Sequence, residues 1–365
     1  PVSPATTTVS TSCTIPASVI DALSEGEHTI YVRALDAMGN WSTWDGARPT
    51  YDLGYLNYEE FIVDRAEMGI FLTTLPDDPT ADPVAAVSGF AQDSTALIAA
   101  LDYRFTGPST IDWTPVTLAD GAYDELYEGF GFTETLTQDG VWTIEVSGAD
   151  AAGNQNLVSS SFMLDTTDPF LTVTAPATTN VATVHVTGTA TDNMTGVAMV
   201  KWAVTPQEGP SPDTPEWNYD WYEAGVVDQF WGDLEEDYSF TVVFTEECWH
   251  RIWVKAIDGV GHTYYTSTDI NVDLYGPTVN AVDLTPVPTN EDLTTTLWVD
   301  IEDLMTGGGT KSTIVAYEWW IDGNDPGQGN GTVIPVSPAT TTVNTSCTIP
   351  ASVIEALSEG EHTIY

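Results

Sequence analysis

Residues 1–31, PVSPATTTVSTSCTIPASVIDALSEGEHTIY, recur at 335–365 with two substitutions, Asn344 for Ser10 and Glu355 for Asp21. A near-identical match at a separation of 334 residues is not a product of local propensity, and a fixed long period marks a repetitive protein. Two conservative differences mark the second copy as a neighbouring repeat. The expectation is therefore that the sequence holds a little more than one period and that both of its ends are arbitrary cuts in a longer chain.

With 365 residues, 42% of them hydrophobic and 13 of them Trp, the chain has apolar mass for several cores, which suggests two to four domains. Only 8 Lys and Arg stand against 54 acidic residues, for a formal charge of −46. Nothing here can neutralise phosphates, which excludes nucleic acid as a partner. Self-repulsion of that size has to be offset by cations, either bound Ca²⁺ or the salt of a saline habitat. Cys347 is the repeat of Cys13, so Cys13 and Cys248 are the distinct positions, and they fall in different domains on the reading below; buried free thiols are expected over a disulfide framework. No apolar run approaches 18 residues, so no membrane span is expected in this segment.

A weaker repeat lies inside the long one. EGEHTIYVRALDAMGN (25–40), DGVWTIEVSGADAAGN (139–154) and ECWHRIWVKAIDGVGH (247–262) align without gaps. Each alternates apolar and polar residues and ends in Asp-x-x-Gly-(Asn/His), the pattern of a half-buried strand followed by a turn. Upstream, VAAVSGFAQD (84–93), VHVTGTATDNMTG (184–196) and LWVDIEDLMTG (297–307) form a second family of alternating strands, each followed by an aromatic strand. FIVDRAEMGIFL (61–72), FMLDTTDPFLTV (162–173) and INVDLYGPTVNAV (270–282) align as a last strand, a linker and the next first strand.

Short strands with regular turns and no convincing amphipathic helix predict an all-β chain of tandem β-sandwiches arranged end to end. Residues 65–165 and 166–273 read as complete domains. Residues 274–365 read as a domain lacking its last strands, and residues 1–64 as the end of another, which the equivalent of 274–334 in a preceding repeat would complete. An insertion at 41–58 enlarges this split domain.

The motifs ATDNMTG (190–196), RALDAMGN (33–40), GADAAGN (148–154) and LDTTDP (164–169) resemble those of tandem immunoglobulin-like (Big-type) domains of bacterial and archaeal surface proteins. The resemblance spans essentially the whole chain. It implies immunoglobulin-like sandwiches at the cell surface or outside the cell, in a scaffold or adhesin. It fixes no ligand. QDST in place of DNMTG in the 65–165 domain, and Gly261-His262 in place of Gly-Asn, depart from the pattern.

In such a sandwich the loops after strands B and F lie where the chain enters, and strand G delivers the chain to the opposite end. The acid at each domain junction should therefore meet the B-loop and F-loop acids of the next domain. The first junction would gather Asp64, Glu67, Asp93, Asp150 and Asn154; the second, Asp165, Asp168, Asp192, Asn193 and Asp258. At the third, Asp273 and Asp303 would meet the equivalent of Asp36 in a following repeat. Hard oxygen ligands from three segments suit Ca²⁺, which takes 6–8 oxygens in irregular geometry. The alternative is that these residues bond their own backbone, as turn residues commonly do.

Catalysis has little support. His28, His362 and His250 share one position at the start of strand F, filled by Trp142 in the 65–165 domain, which argues a structural role, and no nucleophile motif or phosphate loop appears. The segment 215–238 carries Trp217, Tyr219, Trp221, Tyr222, Phe230 and Trp231 among acids. It reads as a protein interface, a glycan platform or a satellite core. Asn40, Asn193, Asn330 and Asn344 head glycosylation sequons.

The sequence thus leads to a non-enzymatic structural segment that associates with copies of itself as a filament, stalk or surface layer. A carbohydrate- or partner-binding module of a secreted adhesin or hydrolase is the alternative.

Overall fold

The computed structural model of the chain describes residues 9–42, 58–206, 220–290, 293–304 and 310–365. The fold is all-β and built of immunoglobulin-like sandwiches, as the alternating pattern predicts. The chain divides into two compact units, Pro1–Thr166 and Thr167–Tyr365.

The first unit opens with a one-turn helix, α1 (Ala17–Ile20), and an antiparallel pair, β1 (Gly26–Tyr31) with β2 (Tyr58–Val63). A sandwich follows: β3 (Gly69–Thr74), β4 (Val84–Gln92), β5 (Ile98–Thr106), β6 (Thr110–Pro115), β7 (Thr117–Leu118), β8 (Tyr127–Thr135), β9 (Gly140–Asp150) and β10 (Gln155–Leu164). One sheet runs β3-β4-β8-β7 and the other β10-β9-β5-β6. The aromatic strand β5 and the alternating strand β9 pair in register, so they take the C and F positions. Their inward residues Leu101, Tyr103, Phe105, Trp142, Ile144 and Val146 form the centre of the core, each contributing about 1.5–3 kcal/mol of transfer free energy on full burial.

The second unit repeats the plan. β11 (Phe170–Leu171), β12 (Thr178–Thr179), β13 (Thr183–Thr191), β14 (Val197–Pro206), β15 (Tyr222–Glu223), β16 (Gly225–Val226), β17 (Glu235–Val243), β18 (Trp249–Asp258) and β19 (Thr263–Val272) make sheets β11-β13-β17-β16 and β12-β19-β18-β14-β15. Gly89 and its counterpart Gly188 are required by close backbone approach. A Cβ would stand 2.2 Å from the Phe71 carbonyl oxygen at the first and 2.1 Å from that of Thr172 at the second.

The same unit continues with β20 (Thr278–Thr285), β21 (Thr295–Glu302), β22 (Ile314–Trp319), β23 (Thr332–Thr340) and β24 (Thr342–Ile349), then the helix α2 (Ala351–Glu355). β20-β21-β24 form one sheet and β22-β23 the other, around Leu297, Val299, Ile301, Trp319, Val343 and Ile349. Past α2 the chain returns to β22, where the Tyr365 and Trp320 amides each donate to the other's carbonyl at 2.9 and 3.2 Å. The helices α1 and α2 were not expected. Both follow a proline, Pro16 and Pro350, whose fixed φ suits the entry to a helical turn. No helix among the described residues is long and apolar enough to cross a membrane. The insertion expected at 41–58 falls almost entirely outside the described residues.

Candidate metal centre at the first junction

The turn after β9 organises one acid. Asp150 Oδ1 accepts from the Ala152 and Asn154 amides at 2.9 and 3.0 Å, its Oδ2 accepts from Asn154 Nδ2 at 2.9 Å, and Gly153 supplies the positive φ the turn needs. The loop after β4 organises a second, with Asp93 Oδ1 accepting from the Thr95 and Ala96 amides at 2.8 and 3.0 Å. The linker out of β2 brings a third. Asp64 Oδ1 accepts from the Ala66 amide at 3.1 Å.

One carboxylate oxygen from each of Asp64, Asp93 and Asp150 lies within 4.8 Å of the others. Turn bonding accounts for Asp93 and Asp150, yet Asp64 Oδ2 is buried with no hydrogen-bond partner among the described residues. Burial raises the Asp64 pKa above its ordinary value, and the charges of Asp93, Asp150 and Glu25 push it the same way against the Ala66 amide. A divalent cation is the natural complement of a buried orphan oxygen beside two further carboxylates. Asp64, Asp93 and Asp150 would supply its protein ligands. Glu67 stands exposed outside this cluster, and Asn154 Nδ2 donates to Asp150.

The other sequence-predicted acids fall as follows. Asp165 ends the first unit just past β10. In the second unit Asp168 and Asn193 are exposed. Asp192 Oδ2 accepts from the Met194, Thr195 and Gly196 amides while its Oδ1 is buried without a partner among the described residues. Asp258 holds its turn as Asp150 does, with His262 Nδ1 at 3.0 Å from Oδ2 where the first sandwich uses Asn154. Asp303 is buried and Oδ2 accepts from Ser312 Oγ at 3.1 Å, while the Asp273 amide donates to the Thr179 carbonyl. Asp36 makes the same turn bonds as Asp150, to the Met38 and Asn40 amides and Asn40 Nδ2, but is exposed. The side-chain and backbone hydrogen bonds from Asn40 outweigh the opposing desolvation, so its pKa is lowered where that of Asp64 is raised.

Sequence reasoning missed a second set of acids. The linker amide after each junction is held by the first residue of the 25/139/247 block: Arg65 N–H by Glu25 at 3.0 Å, Thr166 N–H by Asp139 at 2.8 Å, and the Leu274 and Tyr275 N–H groups by Glu247 at 3.0 and 2.7 Å. The signal was present as Glu, Asp and Glu heading three aligned segments. The residue three places on behaves as expected of a structural position. His28, His250 and His362 Nε2 and Trp142 Nε1 each bond the carbonyl four residues back. His362 Nδ1 also meets Asp322, which raises the imidazole pKa.

Of the aromatics, Trp217 and Tyr219 lie outside the described residues. Trp231 packs against the core, Trp221 carries Lys255 Nζ 4.5 Å from its ring centroid, and Tyr222 lies 5.0 Å from Trp202. Phe230 is 78% exposed. Asn40, Asn193, Asn330 and Asn344 are exposed, although Asn40 Nδ2 serves Asp36, Asn330 Nδ2 donates to the Pro326 carbonyl, and Asn344 Oδ1 accepts from Trp298 Nε1.

No family model matches the sequence, and no curated protein matches it. Among solved structures it is similar to a tetra-tandem repeat in the extending region of a large adhesion protein, at 19% identity over 94% of this chain and 74% of that one, TM-score 0.31. It is similar also to the Escherichia coli adhesin FdeC, at 13% identity over 79% and 90%, TM-score 0.34. The FN1–FN3 domains of chicken CNTN1 match at 9% identity over 77% and 86%, TM-score 0.26. These likenesses are loose, and the fold rests on the sheets described above.

Proposed function

We infer that this chain is a structural, non-catalytic segment of an extracellular repeat protein, forming part of a filament, stalk or surface layer, with Ca²⁺ fixing the junctions between its sandwiches. The observation that carries the reading is the buried Asp64 oxygen, without a partner among the described residues, in a carboxylate cluster with Asp93 and Asp150. A linker carboxylate is held at a point where its charged form needs a cation, and the metal would bind the linker to the loops of the next sandwich. Function would then reside in repetition, with each unit mainly contacting its neighbours and length gained by copying. The −46 charge suits an environment rich in Ca²⁺ or salt. Phe230 and Tyr222, both exposed, support a second reading, a partner- or glycan-binding surface on the second sandwich.

The test is calorimetric titration of the metal-free chain with Ca²⁺, paired with melting curves in EDTA at low and high NaCl. Ca²⁺ should bind with defined stoichiometry, lose its highest-affinity ion in Asp93→Asn, and raise the melting temperature by an amount NaCl does not reproduce. Full rescue by NaCl alone would reduce the acids to turn residues in a salt-adapted surface. Quenching of tryptophan fluorescence by soluble glycans would favour the second reading.

A further inference from the structure

The geometry points to a composite sandwich: the β1–β2 pair of one copy of this repeat completes the sandwich of residues 274–365 in another, and its Asp36 turn brings the third acid to Asp273 and Asp303. The metal part of this inference rests on the Ca²⁺ reading above; the docking of β1–β2 does not.

Residues 361–365 are the repeat of 27–31, which belong to β1 apart from its first residue, and they already lie against the β22 edge. The paired amides of Tyr365 and Trp320, the Asp322 amide on the Thr363 carbonyl and the Ile321–Ile364 bridge fix the register. Carried onward along β1 and its continuation, that register sets Tyr31 opposite Trp320, Val32 opposite Trp319, Arg33 opposite Glu318, Ala34 opposite Tyr317 and Leu35 opposite Ala316. Asp36 then falls opposite Ile314 if Val315 is skipped. The two complete sandwiches skip a residue at this same point, with Ile98 opposite Asp150 then Ala100 opposite Ala149, and Val197 opposite Asp258 then Met199 opposite Ile257.

Three independent features agree with that register. Val146 and Val254, the counterparts of Val32, are both 0% exposed, whereas Val32 is 65% exposed and would come to lie over the buried Trp319. Arg33 opposite Glu318 would set opposite charges across the two strands, as Arg104 and Glu145 do, 2.5 Å apart, two positions further along the first sandwich, with Glu318 already accepting from the Gly329 and Gly331 amides. Trp319 Nε1 and Trp320 Nε1 are buried at this edge without hydrogen-bond partners among the described residues. The Asp36–Asn40 turn meanwhile carries every bond of the Asp150–Asn154 turn in the absence of the B-loop acid that accompanies Asp150. Asp303 is a B-loop acid with no F-loop counterpart among the described residues.

The experiment compares the full chain with the same chain carrying the sequence of residues 32–64 appended after Tyr365, so that the repeat runs on without a break. In EDTA, hydrogen exchange at β22 and β24 should slow by about tenfold or more in the extended chain. On a Cys13→Ser, Cys248→Ser, Cys347→Ser background, Glu318→Cys should form a disulfide with an Arg33→Cys change in the appended copy, and not with an out-of-register cysteine at its Asp36 position. Unchanged exchange, or equal crosslinking out of register, overturns the composite sandwich. In the unextended chain, a concentration-dependent ladder from Arg33→Cys with Glu318→Cys would show copies joining as separate subunits. Ca²⁺ is added last: the extended chain should bind one ion more than the unextended chain, and Asp303→Asn should remove it. Protection without the extra ion overturns the third metal site alone, while loss of Ca²⁺ at Asp64 in both chains overturns the earlier reading and leaves the docking result standing.

Discussion

The two copies of the 31-residue segment carry nearly the same sequence in different surroundings. Both form a helical turn after a proline, and both place a histidine Nε2 2.7 Å from the carbonyl four residues back. They part at the strands. Residues 342–349 pair with β21 and bury Val343 to 4% exposure, whereas Val9, the same residue in the first copy, is 50% exposed and lies in no strand. Turns and side-chain caps follow from neighbours a few residues away and appear wherever the sequence appears. A strand becomes a strand only when a partner edge is supplied.

The largest break in this comparison is expected from core truncation. Ile349→Ala should cost about 2–5 kcal/mol, while Ile15→Ala, the same change at the matching exposed position, should stay within about 0.5 kcal/mol. Urea unfolding followed by exchange at β24 separates the two. Equal costs would mean that the first copy is also packed in a core.

Next comes Asp64→Asn, whose sign should depend on metal. The Asp64 pKa lies above its ordinary 3.8, so the group's contribution to stability is present below that value and lost as pH rises through the raised pKa. In EDTA at neutral pH the substitution should therefore raise the melting temperature, with the gain fading as the pH approaches 3.8. With Ca²⁺ at a hundredfold its dissociation constant it should remove about 2.7 kcal/mol. Asp36→Asn should leave the Ca²⁺ affinity of the unextended chain unchanged. A loss in both EDTA and Ca²⁺ at Asp64 would point to plain turn bonding.

The smallest effect belongs to His362. His362 faces Asp322 and its pKa is raised, so its stabilising share is complete below the ordinary 6.5 and disappears as pH climbs through the raised value. NMR titration should place His362 above 6.5, and Asp322→Asn should bring it down. No movement would remove Asp322 as the cause.

Much of the fold was legible because a period of two, repeated through three aligned sets of segments, leaves few alternatives to sandwiches. Asp64, Asp93 and Asp150 were legible for the same reason, each recurring at one place in its own set. Where Glu67 points was not legible, because direction past a junction depends on how the linker turns into β3, and there the residue is exposed. Glu25, Asp139 and Glu247 recur at the head of three aligned segments, but what that recurrence does is legible only once the amide partner across the linker is known. The helices α1 and α2 are too short for any periodicity to register.

Those three linker-holding acids have a mechanical consequence. β9 and β10 pair over ten consecutive positions, from Gln155 opposite Ala149 to Leu164 opposite Gly140. A pull on Thr166 bears first on the bonds from its amide and hydroxyl to Asp139, the residue just before β9. The force enters the sheet at the end of β10 and runs along the strand, across hydrogen bonds that stand perpendicular to it. Those bonds are then loaded together, in shear, and must yield as a group. Without the acid the linker could peel the strand away bond by bond, as a zipper opens. One carboxylate per junction would thus decide whether a sandwich resists tension with its whole width or with one rung at a time.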